Sequence, residues 1–384
     1  MPISPILRAQ ATYPFVRLNH AAAERRAAGL EVIDFGMGDP REPTDARIIQ
    51  ALKDGVRERM GYPAAVGLPE LREAVTGWIG RRFGVELDPD RSVIPTLGSK
   101  EAIFSFAQVV LDVRGGRDTV VVTEPGYPVP GRGAELTGAT VVELPLLEAH
   151  DFLPDLDAVS DATWARTALL WINTPNNPTG SVAALAFLRD AAPRARRHGF
   201  VLASDEAYTE LWFDEPPPSA LQLADLSSVV AFNTLSKRSS MTGFRSGFVA
   251  GDAELIAALK QFRPNVGTAP QEFVQRASVV AWGDEEHVER ARATYARKRA
   301  LLLDALRRVG IRDAGGPTTM YLWVAVPEGE TSEGFAGRLL DAGILVAPGS
   351  FLGRSGEGYV RFALVPTEAE CARAVEILEL ALGT

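Results

Sequence analysis

Residues 228–247 read SVVAFNTLSKRSSMTGFRSG. The opening run, with Val229, Val230 and Phe232, is β-branched and aromatic and reads as a buried strand. It leads straight into Thr234, Ser236 and Lys237, and Arg245 follows in the same stretch. A lysine at the end of a buried strand is costly, because desolvation disfavours its charged form and lowers its pKa. Such an amine suits Schiff-base chemistry with a carbonyl. Two hydroxyls and an arginine nearby could hold a phosphate. Together they suggest pyridoxal phosphate, although a strand ending in a solvated basic loop explains this stretch alone at least as well.

Working outward, strand-like runs at 119–123, 140–144, 168–172, 201–204 and 228–232 are separated by turns or helices such as 184–197. Near-continuous apolar strands between helices indicate a mainly parallel sheet covered on both faces. Ligands of such sheets sit outside the carboxyl ends of the strands. The polar clusters of this chain fall there: Glu124-Pro125-Gly126-Tyr127, then residues 173–180 (NTPNNPTG), then Asp205-Glu206-Ala207-Tyr208, then Lys237. Upstream, a strand at 31–35 ends in Gly36-Met37-Gly38-Asp39-Pro40, which lacks the third glycine of a dinucleotide fingerprint. Gly38 is either a tight turn or a point of close substrate approach. Helices are expected at 45–59 and 69–83, with an irregular segment holding Tyr62 between them. Gly98-Ser99-Lys100 follows a short strand at 92–96 and opens a helix over 102–113, which makes it an anion site or merely a cap.

Beyond Gly251 helical patterns run to Leu306, interrupted at residues 263–268, and the helix 285–308 could bridge two domains. An α+β region follows: strand 319–326, helix 333–342, strands 344–347 and 358–363, helix 367–382. The expected fold is α/β, with a large mainly parallel sheet domain over 41–276 and a smaller α+β domain over 277–384. Residues 1–40 would form an arm and join the smaller one. The length of 384 residues favours two domains. A net charge of −9 without a basic tract argues against nucleic acid. No apolar run approaches the ~20 residues that cross a bilayer, and the N-terminus has no secretory pattern. Cys371 is the one cysteine, and the four histidines have no ligand spacing, so no metal is expected. The expectation is a soluble cytoplasmic protein.

NTPNNPTG, SDEAYTEL and NTLSKRSSMTGFRSGFVAGD, in this order, resemble the class I/II aminotransferases of the pyridoxal phosphate-dependent fold type I. The resemblance runs from GMGDP to YVRFAL. It implies that Lys237 carries the cofactor and shuttles the substrate proton, and that Asp205 pairs with the pyridine nitrogen. Tyr208 and Asn177 would donate to the ring oxygen, and Tyr127 would stack on the ring. Ser99, Lys100, Thr234, Ser236 and Arg245 would hold the phosphate. Arg361 would bind the substrate α-carboxylate, with Gly38 and Asn177 nearby. Tyr62 would reach the neighbouring subunit's phosphate, which implies a homodimer with shared sites, and Asn265 would approach the partner's site.

TLGSKEAIFSFAQ, RPNVGTAPQEFVQRA and the opening YPFVRL most resemble the members of that family that act in lysine biosynthesis, and this resemblance implies ping-pong transfer from N-succinyl-LL-2,6-diaminopimelate to 2-oxoglutarate. The alternatives are LL-diaminopimelate or a broad aspartate/aromatic range, and, from another class, β-lyase chemistry. A cofactor-sensing transcription regulator would carry an added DNA-binding domain, and this chain begins almost directly with aminotransferase-like sequence. A second anion-binding group opposite Arg361 is required and is not identified by any motif. Arg41 departs from the acidic or neutral residue expected after Gly-Asp-Pro, and a surface role is expected for it.

Overall fold

The computed structural model describes residues 3–9 and 15–383. The Tyr13-Pro14 start of the YPFVRL motif lies outside the described residues, and the rest of it opens the helix Phe15–Ala27. The strands are β1 (Ile33–Asp34), β2 (Val93–Thr96), β3 (Thr119–Glu124), β4 (Thr140–Pro145), β5 (Thr167–Asn173), β6 (Val201–Asp205), β7 (Val229–Thr234), β8 (Gly247–Gly251), β9 (Tyr321–Ala325), β10 (Ile344–Leu345), β11 (Ala347–Pro348) and β12 (Tyr359–Ala363).

The central sheet has 7 strands in the order β2-β8-β7-β6-β5-β3-β4. Strands β3 to β7 run parallel to one another, while β8 is antiparallel to both β2 and β7. Successive side chains of a strand point to opposite faces, and here both faces are dry. Val120, Leu169, Trp171 and Phe232 pack into one apolar layer, and Val121, Leu170, Ile172 and Leu202 into the other. That is why these strands are apolar at every position rather than at alternate ones.

Helix ends follow local chemistry. Pro69 opens the helix Pro69–Phe83, where its missing N–H costs nothing, and Gly84 ends it in the left-handed conformation (φ 68°). Thr367 and Glu370 form a reciprocal capping box at the start of the last helix, Glu368–Leu382.

A second group of elements packs around a separate apolar cluster. β12 lies between β11 and β9, and the helices Glu286–Arg308, Ser332–Ala342 and Glu368–Leu382 surround them. β1 pairs in parallel with β10, so the segment before residue 41 is stitched to the C-terminal part of the chain. The expected strand 344–347 is two short strands in different sheets, because the chain leaves β1's partner and enters the three-stranded sheet one residue later. The interruption expected at 263–268 is present but falls later, at residues 267–271. The helix Ala253–Val266 runs through Pro264 and ends at Gly267 (φ 75°).

Candidate active site

The carboxyl ends of β5, β6 and β7 lie side by side, with Asn173 in register with Asp205, and Asp205 with Phe232. Above them lies a cavity of about 260 Å³. Gly38, Ser99, Lys100, Tyr127, Asn177, Asp205, Tyr208, Thr234, Ser236, Lys237, Arg245 and Arg361 all line it. Residues separated by more than three hundred positions in sequence are thus brought to one place by the sheet topology.

Lys237 sits in the one-turn helix Leu235–Arg238 that follows β7. Thr234 caps that turn, its hydroxyl accepting from Ser236 N–H at 3.1 Å and lying 3.0 Å from the Ser246 carbonyl. The Thr234 hydroxyl thus holds the lysine turn while the residue lines the cavity. Burial pushes the Lys237 amine down to about 8, opposed by Asp39 and reinforced by Arg361 and Arg245. Its Nζ donates to the Gly38 carbonyl.

Burial pushes the Asp205 carboxyl up to about 7, against one N–H donated by Ala207 at 3.3 Å. Its sequence neighbour Glu206 is equally buried but is spent elsewhere: it accepts from Ser204 Oγ (2.9 Å) and Ala220 N–H (2.8 Å). Tyr208 is buried, and its hydroxyl lies 2.9 Å from that of Tyr321.

The Arg361 guanidinium, 4% exposed, donates to Asn177 Oδ1 (2.9 Å) and to the Gly36 carbonyl (2.8 Å). Arg245 has φ 57° and donates to the Thr242 carbonyl (2.8 Å) and the Leu97 carbonyl (3.3 Å). It covers the start of the helix Ser99–Val110, so closely that a Cβ on Gly98 would lie 2.5 Å from its Nη2. Leu352 lines the same cavity from a loop anchored by Glu124, which accepts from Ser355 N–H (3.0 Å) and Oγ (2.6 Å).

Two expected residues lie outside the cavity of this chain. Tyr62 is wholly exposed, and Asn265 is exposed in the last turn of its helix, bonded to the Gln261 carbonyl at 2.9 Å. Arg41 lies at the surface between Asp34 (4.0 Å) and Glu370 (3.7 Å). Sequence reasoning missed Asp39, Asn173, Thr242 and Tyr321 as lining residues. Asn173 could have been found as the polar end of an otherwise apolar strand. Tyr321, by contrast, opens a buried strand whose motif reads as core.

The donor set fits pyridoxal phosphate. A buried carboxylate with one N–H partner matches a protonated ring nitrogen. The amine with a lowered pKa matches an aldehyde, and the cradle of Ser99, Ser236, Arg245 and a helix N-terminus matches a phosphate.

The chain matches the family described as aminotransferase class I and II over residues 31–378. It is 40% identical over 365 residues to an LL-diaminopimelate aminotransferase of Dehalococcoides mccartyi, covering 93% of each chain. Among solved structures it resembles an aminotransferase of Neisseria meningitidis with a TM-score of 0.92 and 37% identity, covering 99% of this chain and 100% of that one. A probable N-succinyldiaminopimelate aminotransferase of Thermus thermophilus superposes with a TM-score of 0.89 at 31% identity, covering 96% of this chain and 100% of that one.

Proposed function

The chain belongs to the class I and II aminotransferases, a pyridoxal phosphate-dependent family, and we propose that within it this enzyme transfers the amino group of LL-diaminopimelate to 2-oxoglutarate. The observation that carries the reading is the single cavity that holds a buried carboxylate, a neutralisable lysine, a phosphate cradle and the Arg361 fork. Bound there, the cofactor supplies an aldehyde for the substrate amine and an electron-withdrawing ring.

Lys237 holds the cofactor and then takes and returns the proton at the substrate α-carbon, which requires its neutral form. With the cofactor bound, Asp205 would keep its ring nitrogen protonated, Tyr208 and Asn177 would donate to its ring oxygen, and Tyr127 would hold the ring. Ser99, Ser236, Arg245 and the backbone of Lys100 hold the phosphate, while Thr234 secures the lysine turn. Arg361 grips the α-carboxylate as a planar fork beside Gly38.

The choice of free diaminopimelate takes the alternative of the sequence reading in preference to the succinylated donor. Relatives at 40% identity carry the former name. The cavity is also lined by the carboxylate of Asp39 beside Lys237, an acceptor that suits a donor bearing a second, free ammonium. The succinylated donor remains the second reading, favoured by the Thermus thermophilus neighbour. Incubating the enzyme with each donor and 2-oxoglutarate separates them. Glutamate formed faster from LL-diaminopimelate, without pyruvate or ammonia, supports the assignment. Preference for the succinylated compound overturns it, and pyruvate release would mean β-lyase chemistry.

A homodimer with shared sites is part of the proposal. Exposed Leu7, Phe104, Leu136 and Val266 border a second, mainly apolar cavity of about 930 Å³ that shares Lys100 and Arg245 with the first. An apolar surface that continues into a charged site suits a second copy of the chain. Tyr62 and Asn265 would then serve the partner's site. Residues 41–276 form the cofactor-holding domain in this reading, and 277–384 with 1–40 form the smaller one.

A further inference from the structure

We propose that Tyr321 is a positioning residue that sets the donor strength of Tyr208 and ties it to the carboxylate anchor Arg361. The inference rests on the role given above to Tyr208. Tyr321 is 4% exposed and occupies the first position of β9, opposite Ala363 of β12. That register makes it the diagonal neighbour of Arg361 on the adjacent strand, close enough for a ring to reach. The Arg361 guanidinium carbon lies 4.4 Å from the centre of the Tyr321 ring. The Tyr321 hydroxyl lies 2.9 Å from that of Tyr208, and the two rings meet edge to face at 5.5 Å.

The hydroxyl is also wedged against the backbone. A Cβ on Gly38 would fall 2.0 Å from Tyr321 Oη, so only glycine leaves the room it occupies. The Gly38 carbonyl accepts in turn from Lys237. One side chain thus touches the carboxylate anchor, the Tyr208 phenol and the residue that meets the lysine.

A phenol has one proton and two acceptor positions. If Tyr208 gives its proton to the ring oxygen of the cofactor, the proton between the two tyrosines must come from Tyr321. A donor into the Tyr208 oxygen strengthens the bond that Tyr208 itself donates, because linked hydrogen bonds polarise one another. A cation over the Tyr321 ring draws electron density from it and sharpens that donor. Removing the Tyr321 hydroxyl weakens Tyr208 as a donor. More negative charge then stays on the ring oxygen, and the nitrogen of Lys237 beside it holds its proton to higher pH.

The test is the pH midpoint of the bound cofactor's absorption band in the holoenzyme, measured for wild type, Tyr208→Phe, Tyr321→Phe and the double variant. Tyr321→Phe should raise the midpoint by about half a pH unit. In the Tyr208→Phe background the same change should add less than about a third of that, since the path through Tyr208 is already cut. In Tyr321→Phe the ring still lies under Arg361, so KM for the amino donor should stay within about twofold, whereas Tyr321→Leu should raise it about fivefold.

An unmoved midpoint in Tyr321→Phe, with a normal shift in Tyr208→Phe, overturns this inference alone. A full shift that persists in the double variant also overturns it. A Tyr208→Phe holoenzyme with the wild-type midpoint overturns the role given to Tyr208 and this inference with it.

Discussion

Lys237 is half-buried and hydrogen-bonded, and the role proposed for it requires its neutral form. Its pKa falls from the ordinary lysine value to about 8, so the reactive form grows as pH rises towards 8 and saturates above it. Capture of pyridoxal phosphate by the apoenzyme should therefore rise steeply up to about pH 8 and level off above about pH 9. A rate still climbing in proportion to hydroxide at pH 10 would mean an ordinary lysine. Arg361 supports a second expectation. Its two terminal nitrogens form a fixed fork, which a lysine ammonium cannot copy. Arg361→Lys should raise KM and lower kcat, each by about tenfold, because the fork both binds the carboxylate and orients the bond to be broken. Steady-state kinetics with unchanged constants would place the carboxylate site elsewhere.

At the scale of elements, the turn Leu235–Arg238 is held from behind by its last residue. Arg238 is 1% exposed and donates to the carbonyls of Ala281 (2.6 Å) and Asp284 (3.1 Å) and to Glu285 (2.7 Å). Its guanidinium lies 5.0 Å from the Trp282 ring centre. Arg238→Ala leaves the buried Ala281 carbonyl without a donor and empties the space beside Trp282, and should cost about 3 kcal/mol, read as a lower urea midpoint. Loss of less than about 0.5 kcal/mol would show that the turn does not depend on this anchor.

The lysine turn itself was legible in the sequence, because a buried polar cluster at the end of an apolar strand has few explanations. The parallel core strands were legible for the same reason: burial on both faces writes an unbroken apolar run. β8 was not legible, since GFVAG begins and ends in glycine and carries only a short apolar run. The helix Val129–Leu136 was hidden by Pro130, Gly131 and Gly133. Gly133 is there for packing: a Cβ would sit 2.1 Å from the Phe104 carbonyl. Pro264 likewise lies inside a helix where sequence rules expect a break, whereas the helix expected over 184–197 does run through Pro193. Tyr321 was invisible because its partners come from β12, the segment after β6 and the turn at Gly38, and only the tertiary register brings them together.

For the whole molecule, the decisive feature is that the cavity opens beside an exposed apolar surface. If Tyr62 completes the partner's site, Tyr62→Ala and Lys237→Ala chains should complement each other. Mixed and reassorted, they form hybrids with one native site, and roughly a quarter of wild-type activity should return. No recovery in a mixture shown to contain hybrid dimers would confine each site to one chain. The central claim is that one amine, at the carboxyl end of β7, carries the cofactor. Borohydride reduction of the holoenzyme followed by peptide mass mapping tests it most directly. The expected result is the pyridoxyl adduct on the peptide containing Lys237 and its absence from Lys237→Ala; an adduct on Lys100 or any other lysine, or on none, would contradict it.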